Sequence, residues 1–435
     1  MRILLLGSGG REHAIAYKMA QSPLCEKLFI APGNAGTAAC GQNIALDINN
    51  FAAVGDFAID NGIELIVVGP EAPLVGGIVD FFHRDARLRH ILILGPDSKG
   101  AQLEGSKDFA KQFMRENGIP TARYQTFTAD NINEGYAFLE TLAAPYVLKA
   151  DGLAAGKGVL ILPTLEEAKR ELRNMLVDAK FGKASGKVVI EEYLTGIEMS
   201  AFAITDGTSF KMLPEAKDYK RIYDGDKGPN TGGMGSVSPV VFADKRFMDK
   251  VTERIVEPTI RGLQMRGIDY RGFIFFGLMA TPDADTGEYD PYVIEYNVRM
   301  GDPETESVFP RILSDVVELF TAACKGTLDE VELNIDPWTA ACVMMVAGGY
   351  PDSYEKGNLI TGIENVRDSL VFHAGTSRAA NGQVFSNGGR VLCVTSLAPT
   401  LPEALLTSYQ SAGKIQWRNK FQRNDIGQDL LRLLM

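Results

Sequence analysis

The chain has 435 residues, and its 45% hydrophobic and 23% charged side chains are typical of a soluble globular protein of two to four domains. A formal net charge of −11 argues against a surface devoted to nucleic acid. Five cysteines without a CxxC pair, and no apolar run near the roughly 20 residues that span a bilayer, predict a cytoplasmic protein without disulfides, structural zinc or membrane segments.

The first hundred residues predict a Rossmann-like parallel α/β sheet. Short apolar strands alternate with helical stretches, and turns rich in Gly or Pro follow the strands. The predicted strands cover residues 2–6, 27–30, 64–68 and 91–94. Because ligands of such sheets lie beyond the carboxyl ends of the strands, we expect a binding site where these turns meet.

The turn after the first strand favours an anion at the start of the first helix. Gly9 and Gly10 expose backbone N–H groups there, and Arg11 adds positive charge, as a phosphate would require. The glycines do not have the GxGxxG spacing, and no acidic residue closes the second strand. A nicotinamide dinucleotide site is therefore disfavoured.

Two further features near this turn have open alternatives. His13 either contacts the same ligand or is an ordinary helix histidine. Asn34 and Gly36 belong to a turn after the second strand, which either adds backbone donors or is a plain connecting loop.

The sequence YVLKADGLAAGKGVLIL, residues 146–162, predicts two strands joined by a glycine-rich loop. Lys149 ends the first strand, and Lys157 lies between two glycines of the loop. Both lysines could face one phosphate together with loop N–H groups, or they could be solvated side chains of a hairpin. Lys107, at the start of a predicted helix, is either another anion ligand or a helix-capping group.

Residues 191–198 follow the next predicted strand and would cross between two lobes. Such a crossing offers backbone groups to a flat heterocycle, and Glu198 could accept from a ribose hydroxyl; the alternative is a surface linker. The polar stretch 215–239 lacks apolar periodicity, so we predict a long functional or disordered loop. Its NTGGMG segment suits close approach of the backbone to a ligand.

A strand predicted over 291–297 carries Glu295 and Asn297, which lie two residues apart and therefore on one face. Carboxylate and amide oxygens suit Mg²⁺ that is shared with substrate phosphates. Arg299, just beyond, could balance a phosphoryl group. The alternative for Glu295 is a carboxylate at a strand end that faces water.

These features divide the chain into three predicted units. They are an N-terminal α/β domain over 1–104, a two-lobed core over 105–331 with a small lobe near 121–192, and an α+β unit over 332–435. Continuous helices are expected over 244–267 and 305–325, before the last unit. We interpret that last unit as a closing domain that contacts ligand.

Two lysines around a glycine-rich hairpin, a crossing strand and a Glu-x-Asn strand together resemble the ATP-grasp enzymes. Nine motifs in order then resemble the glycinamide ribonucleotide synthetase family across the whole chain. They are GSGGREHA, PGNAGT, GPEAPL, QLEGSK, KADGLAAGKGV, GPNTGGMG, NVRMGDPETE, AGGYP and NGGRVL. The resemblance implies a two-lobed ATP-grasp core within a multidomain α/β fold.

The resemblance also implies a reaction of ATP, glycine and 5-phosphoribosylamine that passes through glycyl phosphate, in purine biosynthesis. ATP is then a co-substrate, and Mg²⁺ or Mn²⁺ is the metal. The implied partners are these small molecules, with neither nucleic acid nor membrane, and we expect a monomer. The absence of a Ser-His-Asp or Cys-His arrangement fits phosphoryl transfer, which relies on positioning and charge.

Residue by residue, the resemblance assigns roles that spacing alone does not. The ATP ligands it implies are Lys107, Lys149, Lys157, Glu191, Glu192, Leu194 and Glu198. The metal ligands are Glu295 and Asn297, and the catalytic residues are Arg299, Lys149 and Asp302. The other substrates would contact Gly9, Gly10, Arg11, His13, Asn34, Gly36, Asp218, Lys220, Asn230, Gly232, Gly233 and Gly301.

The chain departs from the family pattern at Tyr219, Lys227 and Met300, where many members have His, Thr and Phe. Tyr219 puts a role for a histidine at that position in doubt. None of the departures touches the lysines or the metal pair, so we expect activity. The alternatives are another ATP-grasp carboxylate–amine ligase, a dinucleotide-binding oxidoreductase and a catalytically inactive regulator.

Overall fold

The computed structural model describes residues 1–152, 158–178, 180, 182–283 and 286–434. The predicted N-terminal parallel sheet is present, with strands in the order Gln42–Asn43, Lys27–Pro32, Arg2–Gly7, Leu65–Val68 and Leu92–Leu94. The helices of this part are Gly10–Met19, Phe51–Asp60, Glu71–Val75, Ile78–Arg84 and Gln102–Gly105. The central strands are buried on both faces, which explains their continuous apolar sequence.

A small lobe follows the helix Lys107–Glu116. Its antiparallel sheet has the order Tyr124–Phe127, Val188–Glu191, Tyr146–Ala150 and Val159–Leu162. The helices Ile132–Glu140 and Leu165–Leu176 pack on this sheet around a core of their own. Within the glycine-rich stretch 146–162, residues 153–157 lie outside the described part of the chain. The predicted ATP ligand Lys157 is among them.

One long antiparallel sheet joins the large lobe to the last unit. Its strands, in order, are Tyr289–Asn297, Gly272–Pro282, Ile197–Thr205, Phe210–Asp218, Gly235–Ser238, Thr339–Ala347, Arg390–Ala398 and Leu370–His373. Lys420–Phe421 also pairs with Thr339–Ala347. Because the sheet is continuous through residues 235–238, the core and the closing unit share hydrogen bonds across the boundary expected near residue 332.

The closing unit adds a three-stranded sheet of Leu359–Ile360, Val384–Ser386 and Thr376–Arg378. Its helices are Leu401–Lys414 and Gln428–Leu433. The multidomain α/β fold expected from the sequence is thus confirmed. Among the described residues, no helix has the length and apolar character of a membrane-crossing segment.

The prediction of a long loop over 215–239 was wrong. Strand Phe210–Asp218 extends into it, Arg221–Tyr223 pairs with Lys227–Asn230, and Gly235–Ser238 lies inside the long sheet. The buried strand Gly235–Ser238 shows no apolar alternation because it contains two serines. Their burial is tolerated because both hydroxyl groups are hydrogen-bonded. Ser236 Oγ donates to the carbonyl of Pro303 at 2.7 Å, and Ser238 Oγ to that of Glu215 at 2.6 Å.

The metal strand is the strand Tyr289–Asn297, which carries the predicted metal ligands. Both long helices predicted on either side of it are interrupted. The first consists of Lys245–Val251, a wide π turn over Thr252–Val256, and Glu257–Met265. Pro258 lacks the N–H that a regular turn would use there. The second stops after Thr305–Val308 near Pro310, and a new helix, Val316–Lys325, starts where the Asp315 carboxylate caps it.

Candidate active site

Lys149 lies at the junction of the small lobe and the metal strand. Its Nζ is 3.0 Å from Glu191 Oε1 and donates to the carbonyl of Ile294 at 3.1 Å. Ile294 immediately precedes Glu295, so this contact fixes the predicted phosphate-binding lysine beside the predicted metal ligands. Strand Tyr146–Ala150 is fully buried, and Lys149 is only 5% exposed.

Lys107 reaches the same region from the first turn of its helix. Its Nζ donates to the carbonyl of Gly152 at 3.0 Å, which places it at the beginning of the glycine-rich segment. Burial lowers the pKa of Lys107, and the Glu295 carboxylate partly offsets this effect. Lys107 and Lys149 therefore both lie near the strand that carries Glu295, Lys149 through its contact with the Ile294 carbonyl.

Glu295 and Asn297 project from the same face of strand Tyr289–Asn297, as predicted. A register shift leaves Ile294 without a partner residue, while Glu295 pairs with Gly277 and Asn297 with Phe275. A side chain at Gly277 would crowd Glu295, whose Cγ would lie 3.0 Å from an added Cβ. The bulge therefore frees the Ile294 carbonyl, and Gly277 leaves room for the carboxylate.

The donor chemistry of this pair fits a magnesium ion that takes its remaining ligands from water and nucleotide phosphates. Among the described residues, no three His, Cys, Asp or Glu side chains cluster as an all-protein metal cage. A carboxylate and an amide oxygen are sufficient for Mg²⁺ when phosphates complete the shell. Asn297 Oδ1 accepts a hydrogen bond from Arg299 Nη2 at 3.1 Å.

Arg299 is held rigidly beside the metal pair by two acids from the N-terminal part. Its Nη2 donates to Glu104 Oε1 at 2.8 Å, and its Nε lies 3.4 Å from Glu71 Oε2. Glu104 also accepts from the N–H of Val298 at 2.8 Å. Glu71 and Glu104 were missed as functional residues, although they occur in the GPEAPL and QLEGSK motifs.

The crossing after strand Val188–Glu191 has free backbone groups, as the adenine prediction requires. The N–H of Glu192 donates to the carbonyl of Arg123, and its carboxylate accepts from the N–H of Arg123. The carbonyl of Glu192 and the N–H of Leu194 have no partner within the described ranges. The Glu191 carboxylate is instead buried, 3.0 Å from the ammonium groups of Lys111 and Lys149.

Glu198, Asp218, Lys220 and Glu295 line one small cleft at the large-lobe sheet. Lys220 Nζ lies 3.0 Å from Glu198 Oε2, and this ion pair lowers the pKa of Glu198. Burial opposes the charge of Lys220, but the three surrounding carboxylates outweigh it and raise its pKa well above the usual value. The cleft therefore places the Asp218 carboxylate and the Lys220 ammonium group side by side.

Tyr219, between two cleft residues, points the other way. Its side chain is buried, and its hydroxyl donates to Asp429 Oδ1 at 2.6 Å. Lys217 Nζ lies 4.0 Å from the centre of the Tyr219 ring. This departure from the family pattern therefore packs against the C-terminal helix. Met300 is likewise buried and Lys227 exposed.

The first helix begins against protein carboxylates. The N–H of Gly9 donates to Glu12 Oε2 at 2.6 Å, and the N–H of Arg11 donates to Asp302 Oδ2 at 3.4 Å. The Arg11 guanidinium is buried against Glu12 Oε1 at 2.5 Å and the carbonyl of Met300 at 3.2 Å. Gly10 packs so closely on Glu306 that an added Cβ would clash with it. Arg11 therefore belongs to the buried contact between the N-terminal α/β part and the loop that contains Met300 and Asp302.

His13, Asn34 and Gly36 meet the closing unit at His373. His13 Nδ1 accepts from the N–H of His373 at 2.8 Å, and Asn34 Nδ2 donates to its carbonyl at 2.7 Å. Any side chain at Gly36 would collide with both histidine rings. His373 was missed by the sequence analysis, because it occurs in none of the quoted motifs.

Arg390 ties the NTGGMG segment to the loop after the metal strand. Its Nη1 donates to the carbonyls of Gly232 at 2.6 Å and Asp302 at 2.7 Å, and its Nη2 lies 3.0 Å from Asp302 Oδ1. Arg390 and Arg11 keep the pKa of Asp302 below its usual value despite burial. Of the other substrate candidates, Gly233 and Gly301 are buried here and Asn230 is exposed.

Glu306 is fully buried beside Asp302, and its oxygens have no conventional hydrogen-bond partner among the described residues. Burial, reinforced by the Asp302 charge, raises the pKa of Glu306 well above its usual value. A protonated Glu306 can donate to the Asp302 carboxylate, which satisfies both groups.

The buried histidine pair predicts a loss of stability in acid. Burial lowers the pKa of His13 to about 4 and that of His373 to about 3, below the usual 6.5. At a pH between the usual pKa of 6.5 and these lowered values, both histidines bind protons in the unfolded chain but not in the folded chain. Stability should therefore fall as the pH drops below about 6.5, by at most about 1.4 kcal/mol per pH unit for each histidine.

Urea unfolding at pH 7 and pH 5 measures this effect. His13→Gln and His373→Asn should each lose less stability between the two pH values than the native chain, even if they start lower. The exposed His83 provides the control, and His83→Gln should follow the native chain. Equal losses in all four proteins would contradict the prediction.

Comparisons with known proteins agree with this architecture along the whole chain. Three models of phosphoribosylglycinamide synthetase match in order: the N domain at residues 1–104, the ATP-grasp (A) domain at 105–305 and the C domain at 340–429. A phosphoribosylamine–glycine ligase of Escherichia coli O6:H1 is 47% identical over 431 residues, which cover 98% of each chain.

Solved structures support the same relationship. The crystal structure of the phosphoribosylamine–glycine ligase of Thermotoga maritima matches with a TM-score of 0.83 and 37% identity, over 98% of this chain and 100% of that one. The biotin carboxylase domain of the Hydrogenobacter thermophilus 2-oxoglutarate carboxylase matches at 0.70 and 17%, over 97% and 91%, and shows the fold alone. The chain therefore belongs to the phosphoribosylglycinamide synthetase family of ATP-grasp ligases.

Proposed function

We propose that this chain is a phosphoribosylamine–glycine ligase of purine biosynthesis. It converts ATP, glycine and 5-phosphoribosylamine into ADP, phosphate and glycinamide ribonucleotide. The glycine carboxylate attacks the γ-phosphorus of ATP, and ADP leaves with the bridging oxygen. The amine of phosphoribosylamine then attacks the glycyl carbonyl carbon, phosphate leaves, and the amine nitrogen loses a proton.

The observation that carries this proposal is the contact between Lys149 and the residue before Glu295. Nζ of Lys149 is 3.1 Å from the carbonyl of Ile294, and Nζ of Lys107 is 3.0 Å from the carbonyl of Gly152, three residues after Lys149. Two lysines beside a strand that carries a pair of oxygen ligands match what phosphoryl transfer requires.

Different groups of the protein bind the different parts of ATP. Lys107 and Lys149 bind the nucleotide phosphates, the backbone of Glu192 and Leu194 binds adenine, and Glu198 binds the ribose. The phosphate contact predicted for Lys157 stays a prediction, since this residue lies outside the described part of the chain. Arg299, held by Glu104 at 2.8 Å, positions and neutralises the acyl phosphate.

A divalent ion, Mg²⁺ or Mn²⁺, would be held by Glu295 and Asn297. When bound, it neutralises phosphate charge as the γ-phosphoryl group moves. The oxygen donors of this pair support either metal, since both prefer carboxylate and carbonyl oxygens.

The remaining substrates bind around the cleft and the domain junction. Asp218 and Lys220 supply a carboxylate and an ammonium group that match the two charged ends of glycine. The phosphoribosyl side lies near His13, Asn34 and Gly36, where the closing unit meets the N-terminal sheet. Asp302 and Gly301 lie beside the acyl phosphate, and Asn230, Gly232 and Gly233 contact the substrates from the NTGGMG segment.

We also propose the domain limits 1–104, 105–331 and 332–435, a monomer without nucleic-acid or membrane partners, and a cytoplasmic location. All five cysteines are free, as expected in a reducing compartment.

A coupled ADP-release assay tests the function. ADP should form only when ATP, Mg²⁺, glycine and freshly prepared phosphoribosylamine are all present, and each is omitted in turn. Release that needs another carboxylate or another amine would favour a different ATP-grasp ligase. Nicotinamide dinucleotides should not bind, because the N–H groups at the start of the first helix already donate to Glu12 and Asp302.

A further inference from the structure

Lys111 is a buried lysine that the assigned site does not use. It lies in the helix Lys107–Glu116, one turn after Lys107, and is only 2% exposed. Its Nζ is 3.0 Å from Glu191 Oε2, and it donates to Thr121 Oγ1 at 2.7 Å. The ring of Tyr124 covers it, with its centre 5.6 Å from Nζ. The ammonium group therefore lies in a closed environment with one acidic partner.

Glu191 is shared between two ammonium groups. Lys111 is 3.0 Å from its Oε2, and Lys149 is 3.0 Å from its Oε1. All three side chains are at least nine-tenths buried. Burial lowers the pKa of Lys111 to about 8, against the attraction of Glu191, so the group is still a cation at pH 7. The Lys111–Glu191–Lys149 triad thus has a net charge of +1.

The triad is also connected to the metal strand at two successive carbonyls. Lys149 donates directly to the carbonyl of Ile294 at 3.1 Å. Lys111 acts through Thr121, whose hydroxyl donates to the carbonyl of Val293 at 2.6 Å. Both contacts lie just before Glu295. The position of Glu191 therefore depends on the same strand that carries the metal pair.

A buried ion pair is weak evidence of a stabilising role, since apolar replacements of similar volume are often neutral or stabilising. With Lys111 removed, Glu191 and Lys149 would form a neutral pair, and the carboxylate would draw Lys149 toward itself. With Lys111 present, the carboxylate is shared between two ammonium groups, and the cluster keeps a net positive charge for a phosphate. A second cation on Glu191 offsets the neutralisation of Lys149 by an acid that lies 3.0 Å away.

We propose that Lys111 is a positioning residue of the nucleotide site, which shares Glu191 with Lys149 and so keeps the cluster net positive and Lys149 correctly placed for the phosphates of ATP. This role rests on the proposed function, because it needs ATP as the ligand. Lys111 itself touches no substrate.

Nucleotide binding by the purified chain, measured by calorimetry with ATP and Mg²⁺, tests the proposal without turnover. Lys111→Met should weaken ATP binding about tenfold, a size typical of coupling through a charged network. Lys111→Arg keeps the charge and should restore most of the affinity. Lys250→Met is the matched control: Lys250 pairs with Glu288 and Asp290 at the far end of the metal strand, and its loss should leave ATP affinity unchanged.

A double-mutant cycle shows whether Lys111 acts through Glu191. In a Glu191→Gln background no carboxylate holds Lys149, so Lys111→Met should change ATP affinity by less than about twofold. The same loss in both backgrounds would overturn the proposal, as would unchanged affinity of Lys111→Met in the native background. If that variant does not fold, Thr121→Val removes the hydroxyl that fixes Lys111: weaker ATP binding supports the role, and unchanged binding overturns it.

The outcomes separate this inference from the function on which it rests. If the native chain binds no ATP, the proposed function fails. If the native chain binds ATP and releases ADP as expected while Lys111→Met binds ATP normally, the function stands and the role of Lys111 is wrong.

Discussion

Replacing Lys149 by methionine is expected to reduce ADP release about 10²- to 10³-fold, the usual cost of losing one preorganised group that stabilises transferred charge. The lysine is 5% exposed and held by Glu191 and the carbonyl of Ile294. A neighbouring cation is therefore not expected to take its place in the buried site. Methionine keeps the apolar stem and the volume, and the small-lobe core should survive. The measurement is ADP release at saturating glycine and phosphoribosylamine, with circular dichroism to check the fold.

Lys169→Met is the control for this prediction. Lys169 lies on the same lobe and pairs with Glu140 on its surface, so its loss should leave ADP release unchanged. Turnover of Lys149→Met at the native rate would remove Lys149 from the ATP site. A variant that loses both activity and the circular-dichroism signal would call for Lys149→Arg, which keeps the charge but not the point geometry.

The double variant Glu295→Ala/Asn297→Ala is expected to lose the Mg²⁺ dependence of nucleotide binding. In the native chain, ATP should bind more tightly with Mg²⁺ than with a chelator, because the pair and the phosphates share the ion. Without its oxygen ligands, the chain should bind ATP equally with and without Mg²⁺. The ratio of the two dissociation constants, from calorimetry, is the quantity to compare.

The far end of the same strand provides the matched control. Glu288→Ala/Asp290→Ala removes two acids that pair with Lys250, so the number of lost charges is at least as large. Its Mg²⁺ dependence should equal that of the native chain. A Mg²⁺-linked affinity that survives in Glu295→Ala/Asn297→Ala would show that the metal lies elsewhere.

The sequence predicted groups that are close in the chain better than groups that are distant. Glu295 and Asn297 were placed on one face because a strand alternates its side chains, and the structure confirms this placement despite the bulge at Ile294. The strand Gly235–Ser238 was missed because its partners are the distant strands Phe210–Asp218 and Thr339–Ala347, and its buried serines give no apolar pattern.

The same limit applies to charge partners. Arg11 was predicted to face a phosphate because its motif resembles an anion site. In the folded chain it donates instead to Glu12 and to the carbonyl of Met300. Lys111 and His373 gave no signal, since their partners Glu191 and His13 are 80 and 360 positions away in the chain. Only tertiary packing, within the core for Lys111 and between units for His373, defines such pairs.

By itself, the sequence determined the alternation of strands and helices, the family motifs and the residue types of an ATP site. Those properties depend on local spacing and on side-chain chemistry. The tertiary structure alone decided that the closing unit shares a sheet with the core, that Glu191 lies between two lysines, and that Arg390 joins Gly232 to Asp302. These contacts arise from burial, where a charge must find a partner and the nearest partner is set by packing rather than by position in the chain.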